Sequence, residues 1–210
     1  MRRSPWRLPV SILLAVVLAT TVCAAAEKKG ESRDTWQQPD RVVKDLGLKP
    51  GEVVADIGCG SGYFTFRLAK AVGADGKVYA EDISDKALKS LKDRVERDKL
   101  TNIAVVKGDA TDIKIPDAAC DAAAVINVVH HVPKEKRLGL MKDVVRAVKP
   151  GGRLFLIDWR MDAKTKHDLK NRIPKDELLA LGKDAGLVLE TEFDYLVNQV
   201  FFRFTKPPAK

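Results

Sequence analysis

The sequence lacks any block of lysine and arginine interleaved with aromatic residues, and aromatic residues make up only 6% of the chain. The formal net charge is +8, of which Arg2, Arg3 and Arg7 contribute three, so that +5 remains without them. A modest basic excess without such a block indicates solubility, and we expect no nucleic acid among the partners. Internal repeats and low-complexity tracts are also missing. The length of 210 residues suits one domain with a sizeable core, and is too short for two ordinary domains plus an export signal.

The N-terminus lacks an apolar run long enough for a typical membrane span. A basic start is followed by the short apolar run 10–19, which only Ser11 interrupts, and then by three small residues that end at Ala26. This order predicts a signal peptide over residues 1–26 with cleavage after Ala26, and hence export to the periplasm or the exterior. In the alternative, the leader stays uncleaved and anchors the protein, which would be its only membrane contact.

The sequence also lacks the third glycine of a dinucleotide-binding turn. In the run VVADIGCGSGYF, Tyr63 occupies the position where G-x-G-x-x-G would require that glycine. Glycines stand instead at every second position, Gly58, Gly60 and Gly62, two residues after Asp56. An apolar run before this turn and a helical pattern after it predict a strand, a tight turn and a helix. Because glycine has no Cβ, such a turn can lie against a ligand at the carboxyl edge of a parallel sheet.

The domain, residues 36–210, follows a polar linker over residues 27–35 and consists of predicted strands that alternate with helices. Further strands are predicted at 77–83, 102–107, 121–129 and 153–159. Five strand-then-helix units indicate a parallel sheet with helices on both faces. The last two strands are joined by so short a link that they must be antiparallel. The predicted fold is an α/β, Rossmann-like three-layer sandwich with a seven-stranded, mostly parallel sheet and an antiparallel C-terminal hairpin.

Two cysteines, Cys59 and Cys120, follow the leader. In the predicted fold they fall at opposite ends of neighbouring strands. Five residues of strand span roughly 16 Å, which is far beyond the reach of a disulfide. We therefore expect two free thiols, and a bridge between them would contradict the predicted strand register.

The D-x-G-x-G-x-G turn resembles motif I of the class I S-adenosylmethionine-dependent methyltransferases, and the resemblance extends over residues 36–206. The chain is most similar to small-molecule methyltransferases of the ubiquinone/menaquinone-biosynthesis type and to related exported bacterial members. The resemblance implies S-adenosyl-L-methionine as the cofactor. It implies the following cofactor-binding residues: Asp56, Gly58, Cys59, Gly60, Gly62, Asp82, Ile83, Asp109, Ala110 and Asn127.

The resemblance also implies a role for each acidic residue. Asp56 is placed near the methionine end of the cofactor, where a carboxylate suits an ammonium group. Asp82 is implied to accept hydrogen bonds from both ribose hydroxyls, and strand alternation is expected to turn Glu81 to the other face. Asp109 is implied to recognise the adenine amino group, supported by the backbone amide that follows. Asn127 is implied to contact the methionine part.

The pair His130 and His131, just past the fourth strand, supplies the candidate catalytic residues. A histidine beside the transferred methyl group is a plausible base, which a hydroxyl acceptor needs and a thiol, an arsenical or an activated carbon does not. In the alternative, one ring packs at the helix–strand junction and the other bonds to a loop. We expect no metal site formed by these two and His167, because adjacent histidines should point apart and no third ligand is tied to them by spacing.

The predicted function is methyl transfer to a small-molecule or quinone-like acceptor. The alternative is a non-catalytic protein of the cell envelope that binds S-adenosylmethionine or S-adenosylhomocysteine, and the glycine spacing disfavours a dehydrogenase. Trp36 is interpreted as a packing anchor over the rim of the pocket, and Asp158 and Trp159 as borders of the cleft. Three further residues either line the acceptor pocket or pack in ordinary ways: Tyr195, Asn198 and Arg172.

Overall fold

The computed structural model of the protein describes residues 32–109, 112–164 and 171–209. Within them, seven strands form a single mixed sheet with helices on both faces. The strands are β1 (Val53–Ile57), β2 (Lys77–Asp82), β3 (Ile103–Lys107), β4 (Cys120–Ile126), β5 (Val148–Trp159), β6 (Val188–Phe193) and β7 (Gln199–Thr205). The helices are α1 (Arg33–Gln37), α2 (Pro39–Asp45), α3 (Thr65–Val72), α4 (Asp85–Arg97), α5 (Lys134–Ala147) and α6 (Lys175–Asp184), and a 3₁₀ turn covers Val129–His131.

The strand order is β3-β2-β1-β4-β5-β7-β6. The first five strands are parallel, while β7 runs antiparallel to both β5 and β6. This arrangement confirms the predicted fold class. Because the order of connection reverses between β1 and β4, a crevice opens at their carboxyl ends, where open α/β sheets bind ligands.

One of the five predicted strand-then-helix units is wrong. The chain leaves β3 into a loop, and none of the described residues between 108 and 119 is helical. Carboxylates of the loop itself and of α5 accept hydrogen bonds from the loop backbone. Asp112 N–H donates to Asp109 Oδ1 at 3.0 Å, and Ile113 N–H donates to Asp143 Oδ2 of α5 at 2.8 Å. Local bonds such as that to Asp109 compete with a helix.

The core has two layers, one on each face of the sheet. Along β4, Ala122 and Ala124 point into the layer formed with α2, α3 and α4, while Ala123 and Val125 point into the layer formed with α5 and α6. The side chains of these four residues are fully buried. A strand that is covered on both faces has a nearly continuous apolar sequence, and the sequence of β4 has this character.

The first described helix starts earlier than the expected domain boundary. α1 begins at Arg33, inside the segment 27–35 interpreted as a linker, and Ser32 caps it by accepting a hydrogen bond from Thr35 N–H at 3.3 Å. Ser84 caps α4 in the same way, since its Oγ accepts from Ala87 N–H at 3.3 Å. Residues 1–26, the predicted signal peptide, lie outside the described residues.

Cys59 and Cys120 are both buried and free, as predicted. Cys59 follows the carboxyl end of β1 and Cys120 begins the adjacent strand β4, so they lie at opposite ends of neighbouring strands. Among the described residues, no helix combines the length and the apolar character that crossing a membrane requires.

Candidate functional site

Two adjoining cavities lie at the carboxyl ends of β1, β2 and β4. The smaller has a volume of about 290 Å³ and the larger about 670 Å³. Gly58, Asn127 and His131 line both cavities and form the wall between them. A ligand with two chemically different ends could therefore occupy both at once.

The three glycines of the turn after β1 have different structural roles. All have a positive φ, which is +63° at Gly58, +57° at Gly60 and +93° at Gly62. A Cβ at Gly60 would meet no atom within 4 Å, so this backbone faces open space in the larger cavity. A Cβ at Gly62 would instead approach Phe66 and Leu91 to 2.6 and 2.7 Å, so this glycine serves the packing of α3 against α4.

Two carboxylates from the end of β2 line the smaller cavity, and one of them was not expected there. Asp82 accepts hydrogen bonds from Gly60 N–H and Ser84 N–H, each at 2.8 Å. Glu81 is 3% exposed and accepts a bond from Gly58 N–H at 3.4 Å. The expectation that alternation removes Glu81 from the site is wrong, because it lines the same cavity as Asp82. At the last residues of a strand, a long side chain from either face can turn into the crevice at the sheet edge.

Burial changes the acid chemistry of the site. Asp56 is 2% exposed and accepts a hydrogen bond from the Thr65 hydroxyl at 2.6 Å. Desolvation raises the pKa of Asp56 to about 7, with the bond from Thr65 opposing the shift and the charge of Asp82 adding to it. Desolvation likewise raises the pKa of Glu81 to about 8, against the bond from Gly58. Two of the acids at this edge therefore take up protons near neutral pH.

The remaining wall of the smaller cavity is mainly apolar. Asp109 lies at its rim, and the predicted neighbour Ala110 lies outside the described residues. Ile83 lines this cavity and is 60% exposed, so its side chain is accessible to a ligand. The other apolar side chains of the wall come from the region of the 3₁₀ turn and from α5: Val128, Val132, Pro133 and Leu140.

Asn127 occupies the junction of the two cavities in a left-handed conformation, with φ of +60°. Its N–H donates to Ile157 O at 2.8 Å, and its side-chain oxygen accepts a hydrogen bond from Gln199. Gln199 in turn accepts from Gln37 Nε2 at 3.1 Å. This buried amide chain ties α1 to β7 and to the site. The sequence reasoning missed both glutamines, because a glutamine near a strand end or helix has no distinctive spacing.

His130 is held by Asp158. The Nδ1 atom of His130 lies 2.6 Å from Asp158 Oδ1, and its backbone N–H donates to Oδ2 at 3.1 Å. The rings of His130 and His131 are in contact, with centroids 3.9 Å apart and planes tilted by 43°. The expectation that the two histidines point apart is wrong, because the tight 3₁₀ turn brings the adjacent rings together. No group of three potential metal ligands occurs among the described residues, and His167 lies outside them.

The larger cavity has an aromatic wall. Trp36 from α1 and Trp159 from the end of β5 lie with ring centroids 5.0 Å apart, and Tyr63 and Phe64 complete the wall. Arg33 places its guanidinium 3.8 Å from the centroid of the Tyr63 ring. Burial is the main cause that lowers the pKa of Arg33. Arg33 and Tyr63 were missed as site residues because one lay in a segment interpreted as a linker and the other only marked an absent glycine.

Three of the open candidates for the acceptor pocket pack elsewhere. Arg172 is buried and donates to the carbonyl oxygens of residues 160, 161 and 163. Asn198 accepts from Lys164 N–H at 3.0 Å, and Tyr195 packs under the Arg41 guanidinium at 3.6 Å. Neither cavity is lined by any of the three. In contrast, Trp159 lines the larger cavity, and Asp158 reaches it through His130.

The residues present fit S-adenosylmethionine. Its ribose hydroxyls and adenine amino group are donors, and the smaller cavity supplies the acceptors Glu81, Asp82 and Asp109 beside apolar side chains. Its ammonium group suits Asp56 in the larger cavity. The open space at Gly60 allows a ligand to approach the backbone closely.

Comparisons with known proteins agree with this geometry. Residues 54–152 match the model of a methyltransferase domain. A demethylmenaquinone methyltransferase from Bacillus mycoides (strain KBAB4) is 32% identical over 123 residues, which cover 59% of this chain and 50% of that protein. One from Staphylococcus aureus (strain MRSA252) is 31% identical over 128 residues, which cover 61% of this chain and 51% of that protein. The chain thus spans about half the length of the curated relatives it matches.

Solved structures extend the likeness over most of the chain. A SAM dependent methyltransferase from Aquifex aeolicus has a TM-score of 0.76 and 25% identity, over 83% of this chain and 94% of that one. The [4+2]-cyclase SpnF has a TM-score of 0.70 and 17% identity, over 86% of each chain. At the identity of the second structure the likeness shows the fold alone.

Proposed function

We propose that this chain, which carries a class I S-adenosylmethionine-dependent methyltransferase domain, transfers a methyl group to a small-molecule or quinone-like acceptor. One observation carries the proposal. A small cavity with three carboxylates and an apolar wall shares Gly58, Asn127 and His131 with a larger, aromatic cavity. The first suits a nucleoside, and the second offers room for an acceptor next to it.

We assign each part of the cofactor to the residues whose chemistry suits it. Asp82, and Glu81 beside it, would accept hydrogen bonds from the ribose hydroxyls. Asp109 and the backbone at Ala110 would recognise adenine, and Ile83 would cover the ring. Further assigned contacts come from the turn and from the methionine end of the site: Asp56, Gly58, Cys59, Gly60, Gly62 and Asn127.

The bound cofactor would supply a methyl group activated by its positively charged sulfonium sulfur. The protein's contribution is mainly proximity, orientation and exclusion of water. Trp36 and Trp159 would hold the acceptor against the aromatic wall. His130 or His131 would take a proton from an acceptor that carries one.

The acceptor class draws support from two sides. The sequence relatives are named for demethylmenaquinone, a quinone precursor, and the wall of the larger cavity suits a flat ring. The alternative, a non-catalytic binding protein of the cell envelope, is favoured by the apolar leader, which would take the domain to a compartment where the cofactor is not expected. We retain it as the second candidate.

We also propose export. Residues 1–26 would be a signal peptide and 36–210 the exported domain, with an uncleaved membrane anchor as the alternative. The N-terminal residue of the purified native protein tests this proposal. A start at Glu27 supports cleavage after Ala26, whereas Met1 at the start of a protein from the cytosolic fraction would reject export.

Turnover tests the function. The full chain would be incubated with methyl-labelled S-adenosylmethionine and a panel of a naphthohydroquinone, a phenol, an alkyl thiol and arsenite. We expect label in an acceptor and a loss of transfer of about 100-fold or more in D56N, because the ammonium anchor is lost. The matched control is D162N, whose exposed carboxylate pairs with Arg160 outside both cavities. Binding of S-adenosylhomocysteine without transfer to any acceptor would favour the binding protein.

A further inference from the structure

The hydrogen bonds of His130 define which ring nitrogen carries a proton. A carboxylate only accepts hydrogen bonds, and Asp158 accepts three, all from N–H groups. Oδ1 receives Trp159 N–H at 2.7 Å and lies 2.6 Å from His130 Nδ1, and Oδ2 receives His130 N–H at 3.1 Å. Neutral His130 must therefore carry its proton on Nδ1, and its Nε2 has a free lone pair.

The residue that carries this lone pair belongs to the wall of the larger cavity. His130 lines that cavity, although its side chain is only 9% exposed. Among the residues that the structure describes, no hydrogen bond engages Nε2. Asp158 is itself 1% exposed, so water screens the His130–Asp158 pair little. A neutral imidazole with a buried carboxylate behind it is the arrangement of a general base and its orienting group.

The neighbouring histidine occupies a different position in the site. Asp158 bonds to the ring and backbone of His130, while His131 contributes its ring to the stacked pair and to the wall between the cavities. The titratable and charged groups that face His130 from the same turn, from β5 and across the cavity are His131, Asp158, Arg33, Asp56, Cys59 and Tyr63. Of these, Asp158 is the group that forms a hydrogen bond with the His130 ring.

The strength of this base limits the acceptor. Imidazole has a pKa of about 6.5 and a phenol one of about 10, a gap that a positioned base can bridge, whereas an aliphatic alcohol holds its proton far more tightly. The walls around His130 are aromatic: Trp36, Tyr63, Phe64 and Trp159. Flat rings pack well against such walls.

We propose that the acceptor is an aromatic compound with an ionisable hydroxyl, a phenol or hydroquinone, that His130 Nε2 takes its proton, and that Asp158 is the positioning residue. The inference rests on the proposed function. In the proton step, the acceptor O–H bond breaks and an Nε2–H bond forms. The products are a phenolate, whose electron pair is available on the oxygen or the ring carbon, and an imidazolium facing the Asp158 carboxylate.

The proton step can be observed without turnover. The probe is 4-nitrophenol, whose phenolate and neutral forms have different absorption spectra, titrated with the full chain and S-adenosylhomocysteine at a pH where the free probe is mostly neutral. We expect the bound probe to be phenolate. In H130N and D158N the bound phenolate fraction should fall about tenfold or more, and in D162N, whose carboxylate lies outside both cavities, it should persist. Nitrogen NMR of the unliganded wild type should show His130 protonated on Nδ1.

Turnover with a phenol or naphthohydroquinone adds a second measure. H130N should lower the transfer rate by about 100- to 10,000-fold and remove one ionisation from its pH profile. D158N should shift that ionisation, while the affinity for S-adenosylhomocysteine stays unchanged in both variants. D158E, which restores a carboxylate, should recover part of the rate.

Four results would overturn the inference: a neutral bound probe in the wild type, phenolate that persists in H130N, no binding of the probe, or His130 protonated on Nε2. None of the wild-type measurements depends on a variant that fails to fold. Calorimetry with S-adenosylhomocysteine distinguishes failure of this inference from failure of the proposed function. If that ligand binds and the probe results fail, only the acceptor and base assignments fall. If it does not bind, the proposed function falls as well.

Discussion

Four carboxylates converge at the edge of the sheet, and their different burial gives them different roles. Asp82 is partly exposed and both of its oxygens are bonded to backbone N–H groups, so it holds the turn as well as facing the cavity. Asp109 is exposed at the rim. Asp56 and Glu81 are buried, and their raised pKa values make ligand binding sensitive to pH.

Asp56 should make cofactor binding depend on pH. Its pKa of about 7 means that the carboxyl is mostly neutral below neutral pH and attracts an ammonium group only above it. The affinity for S-adenosylhomocysteine, measured by calorimetry, should therefore rise about tenfold between about pH 6 and about pH 8. D56N should bind weakly throughout and flatten this dependence. An equal rise in D56N would assign the effect to another group.

Asp82 and Glu81 can be separated by substitution. D82A should weaken S-adenosylhomocysteine binding by roughly 1 to 3 kcal/mol, because ribose hydroxyls lose an acceptor. E81Q keeps the size of the side chain and should weaken it less. Calorimetry on both variants checks the order. Unchanged affinity in D82A together with a large loss in E81Q would make Glu81 the ribose-binding acid.

At the scale of elements, the turn after β1 combines ligand binding with packing. Both G60A and G62A place a Cβ on a residue of positive φ, which costs roughly 1 to 2 kcal/mol of folding free energy. G62A should cost more, because its Cβ also collides with Phe66 and Leu91. G60A should instead mainly weaken cofactor binding. Urea unfolding and calorimetry on both variants measure this, and a G60A variant with unchanged affinity would remove Gly60 from the site.

The elements that local patterns specify were predictable from the sequence. β4 appears as an apolar run, α4 starts at a Ser84 cap, and the glycine turn has a motif of its own. The features that the sequence did not predict depend on contacts between residues that are distant in the chain or on position at a strand end. Glu81 turns into the crevice because, at the end of a strand, the alternation of side chains between the two faces no longer determines where a long side chain lies. α1 starts at Arg33 in a charged segment, since its stability comes from Trp36 and Gln37 packing against residues far along the chain.

For the whole molecule, the buried acids predict an unusual pH dependence of stability. The pKa of Asp56 rises from 3.8 to about 7 and that of Glu81 from 4.5 to about 8, so the folded protein binds protons that the unfolded chain has released. Their stabilising contribution is complete below the unfolded pKa values and is lost as pH rises through the folded ones. Stability should thus fall by a few kcal/mol between about pH 4 and about pH 8.

Urea unfolding across this range measures the effect on the protein without cofactor. The D56N/E81Q double variant should flatten the curve, since neither amide titrates. A wild-type stability that is constant or increases over the range would mean that these carboxyls are already ionised in the folded protein. Saturation with S-adenosylmethionine should restore part of the loss, because its cationic end favours the ionised Asp56.

The central claim is that the two adjoining cavities bind S-adenosylmethionine. Calorimetric titration of the full chain with S-adenosylmethionine, S-adenosylhomocysteine and NAD tests it most directly. We predict saturable one-to-one binding of both sulfur ligands, weakened in D82A. We predict no binding of NAD, because a dinucleotide-binding turn would need a glycine where this chain has Tyr63. Binding of NAD alone, or of none of the three, would contradict the account.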